Sequence, residues 1–323
     1  MTVITVNNCS SLKVYICRPM QMNCIGVQSW HPLICPQRMF QDREGSANAY
    51  VETNPSMYVS LSGEAIVLVR QVNYRKFCNK SFKLGENKSI SKYHIFRGTY
   101  CEGEFTYTYN SDLQFINPFP VYPSYWLGAE DLRFVDKNTV IATYPELNPG
   151  GNPRMVLGTL DAGNTITFTQ LLEPSQIEKN WMPFYMNGFQ YVIYSISPLI
   201  IKGINTNIFE VLHKNDDLAF YHGSTNGIPY GGGYLFLIHK YTTKTGHRWL
   251  YVNFQNRTFS YSESFAFFQH SYIEFPCSLV DLCDDNFAVS LGVNDDKAFI
   301  ATVDPRSVQL GEAISFEGIS LSS

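Results

Sequence analysis

The chain has no run of basic residues. Its 24 Lys and Arg are outnumbered by 28 Asp and Glu, and the formal charge is −4. Nucleic-acid binding draws on clustered cations facing phosphates, so no nucleic-acid partner is expected. Charge is sparse as well, at 16% of residues against 45% hydrophobic, which is the balance of a folded globular chain. No apolar stretch reaches the roughly 18–20 residues that cross a bilayer, so no membrane span is expected. The opening MTVITVNNCSSLKVYICRPM has no charged start followed by a continuous apolar region, so no secretory signal is read there. The eight cysteines (Cys9, Cys17, Cys24, Cys35, Cys78, Cys101, Cys277 and Cys283) include no CxxC pair. A structural zinc site is therefore not expected, and no spaced His/Asp signature suggests another metal. With no signal read, the thiols are expected to be free, in a reducing, cytoplasmic setting. Sequons at Asn8, Asn79, Asn87 and Asn256 would matter only on a secreted chain. There is no GxSxG, and the glycines at 231–233 lack the Lys-Ser/Thr of a phosphate loop. They read as a tight turn.

What is abundant is aromatic and β-branched. Tyr and Phe number 21 and 23, a bias towards strands. Long amphipathic helical patterns are missing. Short apolar runs recur instead, such as AIVLVRQVNY (65–74), FQYVIYSISPLIIKGI (189–204), GYLFLIHKYTT (233–243) and NFAVSLGV (286–293), set apart by Gly, Pro, Asn and Asp turns. Polar openings precede these units: TNPSM at 53–57, GAEDLRF at 128–134, IEKNWMPF at 177–184, STNGIPY at 224–230 and SYIEFPC at 271–277. The last four recur at a spacing of about fifty residues, the period of a propeller blade with about four strands. The expected fold is all-β: a five-bladed β-propeller over 51–323, with residues 1–50 as an N-terminal extension that packs on it and helps to close the ring. A pair of β-sandwiches is the other arrangement the pattern permits.

The openings resemble the five-bladed propellers of glycoside hydrolase family 130, the β-mannoside phosphorylases, and the related β-1,2-mannosyltransferases. The matching pieces are GAEDLRF for the family's Glu-Asp-Pro-Arg, EKNWMPF, GIPYGGGYLFLIHK and IEFPCSLVDLCDDNFAVSLGVNDDKAFIA, in the family's order from about residue 53 to 304. Leu132 stands where the family has Pro. The resemblance implies a general acid at Asp131, since a glycosidic oxygen leaves poorly unless protonated. It implies cationic phosphate ligands at Lys179 and His239, with Arg133 and Arg154 as further donors to one dianion. It implies that Asp295 holds sugar hydroxyls, as a carboxylate does by accepting two hydrogen bonds.

Other residues follow from their chemistry. Trp181 and Tyr230 are candidates for stacking on sugar faces. Asn180, Glu274 and Asn73 are candidates for sugar hydroxyls. Arg70 and Tyr74 share the Asn73 strand end and are placed on the acceptor side. Glu178 or Glu274 would serve as base in an inverting hydrolase. Each residue also has an ordinary structural role open to it, as a turn cap, salt bridge or core ring. The expected function is a glycoside phosphorylase or glycosyltransferase acting with inversion on β-mannosides or related hexosides. Its substrates would be an oligosaccharide or glycan together with inorganic phosphate or a sugar-phosphate donor, with no cofactor. An inverting glycoside hydrolase and a non-catalytic carbohydrate-binding propeller are the alternatives.

Overall fold

The computed structural model describes residues 26–316 except 42–44, 77–81, 85–87, 102, 173–177, 206–208, 241–245, 269–270, 272 and 283–284. Cys9, Cys17, Cys24, Cys78 and Cys283, and the sequons at Asn8, Asn79 and Asn87, lie outside the described residues. Cys35, Cys101 and Cys277 are free thiols.

The strands form five antiparallel blades around a common axis. Blade 1 runs outward from Val51–Val59 through Glu64–Val72 and Ser89–Cys101 to Glu104–Asp112. Blade 2 comprises Glu130–Phe134, Thr139–Thr143, Met155–Leu160 and Thr165–Leu172, with Gln114–Ile116 added in parallel at its edge. Blade 3 comprises Met182–Met186, Phe189–Ile196, Leu199–Gly203 and Phe209–His213. In blade 4 the inner strand is split into Tyr221–Gly223 and Ile228–Tyr230, and Gly233–Lys240, Gly246–Asn253 and Thr258–Tyr261 follow. Blade 5 comprises Glu274–Asp281, Phe287–Val293 and Lys297–Val303, and Val27–Leu33 supplies its fourth strand.

The core explains why the sequence shows apolar runs rather than alternation. Five hydrophobic clusters occupy the five interfaces between successive blades. Ile66, Leu68, Phe134 and Val140 join blade 1 to blade 2. Ile141, Met155 and Val192 join blade 2 to blade 3. Phe184, Ile193 and Phe236 join blade 3 to blade 4. Leu235, Trp249 and Val289 join blade 4 to blade 5, and Val280, Ile300, Met57 and Val67 close blade 5 onto blade 1. Each middle strand is thus covered on both faces, and a strand buried on both faces is apolar at every position. Ala65–Val69 is buried without interruption for this reason.

The inner strands are irregular where they reach the axis. Pairing shifts register between Thr53 and Ser56 in blade 1, between Glu130 and Arg133 in blade 2, and between Pro276 and Ser278 in blade 5. A bulge leaves a residue out of the ladder and re-aims its side chain. Asn54 and Asp131 occupy two of these bulges with φ of 41° and 50°, and Asn180, just before blade 3, has φ 63°. Asn and Asp are the non-glycine residues that tolerate this region best. Gly292 of blade 5 makes room for the first bulge: a Cβ there would lie 2.1 Å from Asn54 Oδ1.

Candidate functional site

The bulges bring a cluster of carboxylates together near the axis. Asp131 Oδ1 accepts from Asn54 Nδ2 at 2.8 Å and from Arg70 Nη1 at 3.1 Å. Arg70 is buried, and its other nitrogens donate to Glu130 Oε1 and, at 2.9 Å, to Ser91 Oγ. One arginine therefore grips both acids of the Glu-Asp pair. Burial raises the Glu130 carboxyl above its ordinary value; Arg70 opposes this, while Asp131 and Asp295 push it further up. Asp295 thus joins the same cluster from the hairpin of blade 5, where it has φ 55°. Tyr74 lies within electrostatic reach of Arg70, Asp295, Glu130 and Asp131, and burial pushes its phenol well up. Both donors to Asp131 fall on Oδ1, and among the described residues no hydrogen bond engages Oδ2.

Cations and histidines gather at the inner ends of blades 3 and 4. His222 and His239 pair across the first strands of blade 4, with ring centroids 5.8 Å apart. Burial lowers His239 well below the usual imidazole value, and the charges of His247, His222, Arg133 and Lys179 lower it further. His222 is lowered by burial and by Lys179. Lys179, exposed and two residues ahead of the buried Trp181, therefore stands close to both rings. Burial pushes the thiol of Cys277, in the bulge of blade 5, well up and keeps it neutral; Asp131 and Asp295 add to the rise, and Arg133 and Arg70 oppose it.

The structure corrects several expectations. Arg133 is 0% exposed. Its guanidinium reaches from blade 2 to blade 4, where Nε donates to the Ser224 carbonyl, and lies 5.5 Å over the Phe275 ring of blade 5. Its Nη1 and Nη2 are buried with no hydrogen-bond partner among the described residues, and its charge reaches His239. Trp181 is 3% exposed and packs among Ile141, Met155, Leu157 and Val192, so its ring is core and stacks on no sugar. Glu178 is held by Trp181 Nε1 at 3.0 Å and Tyr194 OH at 2.7 Å. Glu274 is buried against His247 Nε2 at 3.0 Å, the Phe267 and Phe268 amides at 2.8 and 2.7 Å, and Ser271 Oγ. Both glutamates have their oxygens filled by structural donors, which removes them as sugar ligand or hydrolytic base. Asn73 is fully buried and spends its amide on Lys88 O and Ile90 N. Tyr230 packs edge-on against Tyr251 and Phe287 between blades 4 and 5. Arg154, by contrast with these, is not placed by its bonds: it donates Nη1 to Leu147 O at 3.3 Å, and its buried Nε has no hydrogen-bond partner among the described residues.

Of the residues picked from sequence, the fold brings Asp131 and Asp295 into one cluster and Lys179 and His239 into the other. Asn180 forms the positive-φ turn between Lys179 and Trp181. Two contributors were missed. Asn54 was legible only as an Asn opening an inner strand, the position Asp131 takes one blade later. His222 carried no signal of its own, because it reaches the site only through its pairing opposite His239.

No family model matches the chain, and no curated protein matches it in sequence. Solved structures do match in fold. A β-1,2-mannobiose phosphorylase from Listeria innocua, in complex with β-1,2-mannobiose, superposes with TM-score 0.51 at 12% identity over 85% of this chain and 96% of that one. A putative glycoside hydrolase from Bacteroides ovatus gives TM-score 0.54 at 11% identity over 91% and 98%. A GH43 β-xylosidase/α-arabinofuranosidase from a compost microbial metagenome, in complex with xylotriose, gives 0.52 at 12% identity over 88% and 99%. The class this defines is the five-bladed β-propeller, the fold expected from the blade openings.

Proposed function

We propose that the chain is a carbohydrate-active enzyme that moves a glycosyl unit between a glycoside and phosphate with inversion, with β-mannosides as its substrate class. One observation carries this reading: the inner ends of blades 2 to 4 present an oriented carboxyl group, Asp131, and a group of cationic and histidine side chains, Lys179, His222 and His239, linked through Arg133 and Cys277, since Cys277 feels Asp131 and Arg133 together and His239 feels Arg133. Transfer to phosphate requires both. Asp131 delivers a proton from Oδ2 to the glycosidic oxygen as the bond from that oxygen to the anomeric carbon breaks. A phosphate oxygen, drawn in by Lys179 and the histidines, forms the new bond from the opposite face. Arg70 and Asn54 fix the carboxyl group through Oδ1 and leave the reacting oxygen unencumbered. Asp295 accepts from the hydroxyls of the transferred sugar. Run in reverse, the same steps make the chain a transferase with a sugar-phosphate donor. The neighbouring glycosidase and phosphorylase folds support the reading.

A second reading, inverting hydrolysis, is favoured by Glu130, a carboxyl group with a raised proton affinity in the same cluster. The deciding experiment follows β-mannooligosaccharide turnover with and without inorganic phosphate, with Asp131→Asn as control. Mannose 1-phosphate formed only with phosphate, and lost in the variant, supports phosphorolysis. Free mannose without phosphate supports hydrolysis. Sugar binding without turnover in either direction leaves a binding propeller.

A further inference from the structure

An aromatic path leads outward from the carboxylates. Residues 117–128 read NPFPVYPSYWLG and run directly into the strand that carries Asp131. Tyr74, within electrostatic reach of Glu130, Asp131 and Asp295, meets Trp126 edge-on at 5.9 Å and 84°. Trp126 in turn meets Tyr125 edge-on at 5.8 Å and 80°. Exposure rises along the row: Tyr74 is buried, Trp126 half-buried, and Tyr125 is 48% exposed. Val121 and Tyr122 on the same loop are 61% and 36% exposed.

The loop is held in place. Tyr122 N donates to Glu146 O at 2.8 Å, Gly128 N to Glu146 Oε2 at 2.7 Å and Ser89 N to Tyr125 O at 3.0 Å. Trp126 and Leu127 pair in parallel with Ser89 and Ile90 at the edge of blade 1. Gly128, with φ 86°, sits so close to that edge that a Cβ would lie 2.5 Å from Ser91 O. The rings are therefore displayed on a fixed frame, and a ligand that packs on them has little ordering entropy to overcome. A contiguous, fixed apolar row at the surface calls for an occupant. Its continuity with the carboxylate cluster says which one. Pyranose rings present apolar C–H faces that pack on aromatic faces, and the ring-to-ring step here is of the order of one sugar unit.

We propose that Trp126 and Tyr125 form a binding rail for the outer sugars of an oligosaccharide whose reacting bond lies at Asp131. The substrate is then a chain of pyranose units rather than a simple glycoside. This rests on the glycosyl-transfer reading above. The half-exposed Trp126, not the buried Trp181, is the tryptophan that meets sugar.

The experiment measures binding by calorimetry for manno- and xylo-oligosaccharide ladders, from disaccharide to pentasaccharide, with the wild type, Tyr125→Ala, Tyr125→Phe and Trp126→Ala. The wild type is expected to gain affinity with each unit beyond the disaccharide. Tyr125→Ala is expected to lose about three- to tenfold on the longer chains, the worth of one stacked ring, and less on the disaccharide. Tyr125→Phe keeps the ring and restores most of the gain. Trp126→Ala flattens the length dependence altogether. If the wild type binds the disaccharide but gains nothing from added units, or if Tyr125→Ala keeps the full gain, the rail is refuted and the glycosyl-transfer reading stands. If the wild type binds no member of either ladder, both fall.

Discussion

Asn54 and Asp131 meet across the boundary between blades 1 and 2, with Asn54 Nδ2 donating to Asp131 Oδ1 at 2.8 Å. Each sits at a register shift with a left-handed backbone. Two locally unfavourable conformations are stabilised by one bond, and that bond fixes which oxygen of Asp131 is free to react. Asn54→Ala puts a Cβ residue without a side-chain amide at positive φ and removes a buried hydrogen bond. It is expected to cost about 2–3 kcal/mol in urea unfolding. Turnover should fall about tenfold or more through loss of orientation at Asp131.

Asp131→Asn keeps an oxygen for Asn54 and Arg70 but has no acidic proton to give. Turnover should fall by about 10²–10⁴-fold while unfolding stability moves by less than about 1 kcal/mol. A variant with near wild-type rates would remove Asp131 from the chemistry.

Arg70→Met leaves Glu130 and Asp131 side by side without their buried cation. The expected loss is about 3–5 kcal/mol near neutral pH. Without Arg70 nothing offsets the burial and repulsion that already raise Glu130. A carboxyl group whose folded value is raised contributes fully only below its unfolded value, near 4.5, and the contribution is lost as pH rises through the folded value. Denaturant unfolding of Arg70→Met should therefore show a smaller deficit at about pH 5 than at about pH 8.

Lys179 and Trp181 are two residues apart and do opposite work. Lys179→Met removes an exposed cation, so stability should hold within about 0.5 kcal/mol. In a phosphate titration of turnover, the KM for phosphate should rise about tenfold. Trp181→Ala empties a core site between blades 2 and 3 and should cost about 3–5 kcal/mol in stability.

His239 is lowered by burial first and then by His247, His222, Arg133 and Lys179. A buried histidine held neutral stabilises the fold above its unfolded value, near 6.5, and that contribution is lost as pH falls below it. The melting temperature should therefore drop from about pH 7 to about pH 5. His239→Gln, neutral throughout, should flatten part of that slope. An unchanged slope would assign the titration to other histidines.

The polar openings of the five blades were legible because each combines turn residues with the first residues of an inner strand. TNPSM, GAEDLRF and IEKNWMPF all mark places where the chain turns in towards the axis. Asp131, Lys179, His239 and Asp295 were found from those openings and from the matching strand ends. Direction was not legible. In EKNW neighbouring side chains part: Glu178 and Trp181, three residues apart, bond to each other in the core, while Lys179 acts on the histidines. Type and spacing alone made Trp181, Glu274 and Asn73 look like sugar ligands. Their partners, Val192, His247 and Lys88 among them, lie elsewhere in the chain, in two cases in the same blade, and only the packed blades show that their bonding is already complete.

The strand Val27–Leu33 completes blade 5 by pairing with Lys297–Val303, almost the whole chain away. Bringing such distant segments together is slow, because the entropy of closing the loop is lost before the contact rewards it. Among the described strands, the seam at blade 5 is thus the contact with the largest loop to close. Until it forms, the strand Lys297–Val303 has an open edge, and the chain is a curved stack with two ends. The seam leaves the ring without that open edge, and the alignment of Asp131 from blade 2 with Asp295 from blade 5 depends on a closed ring.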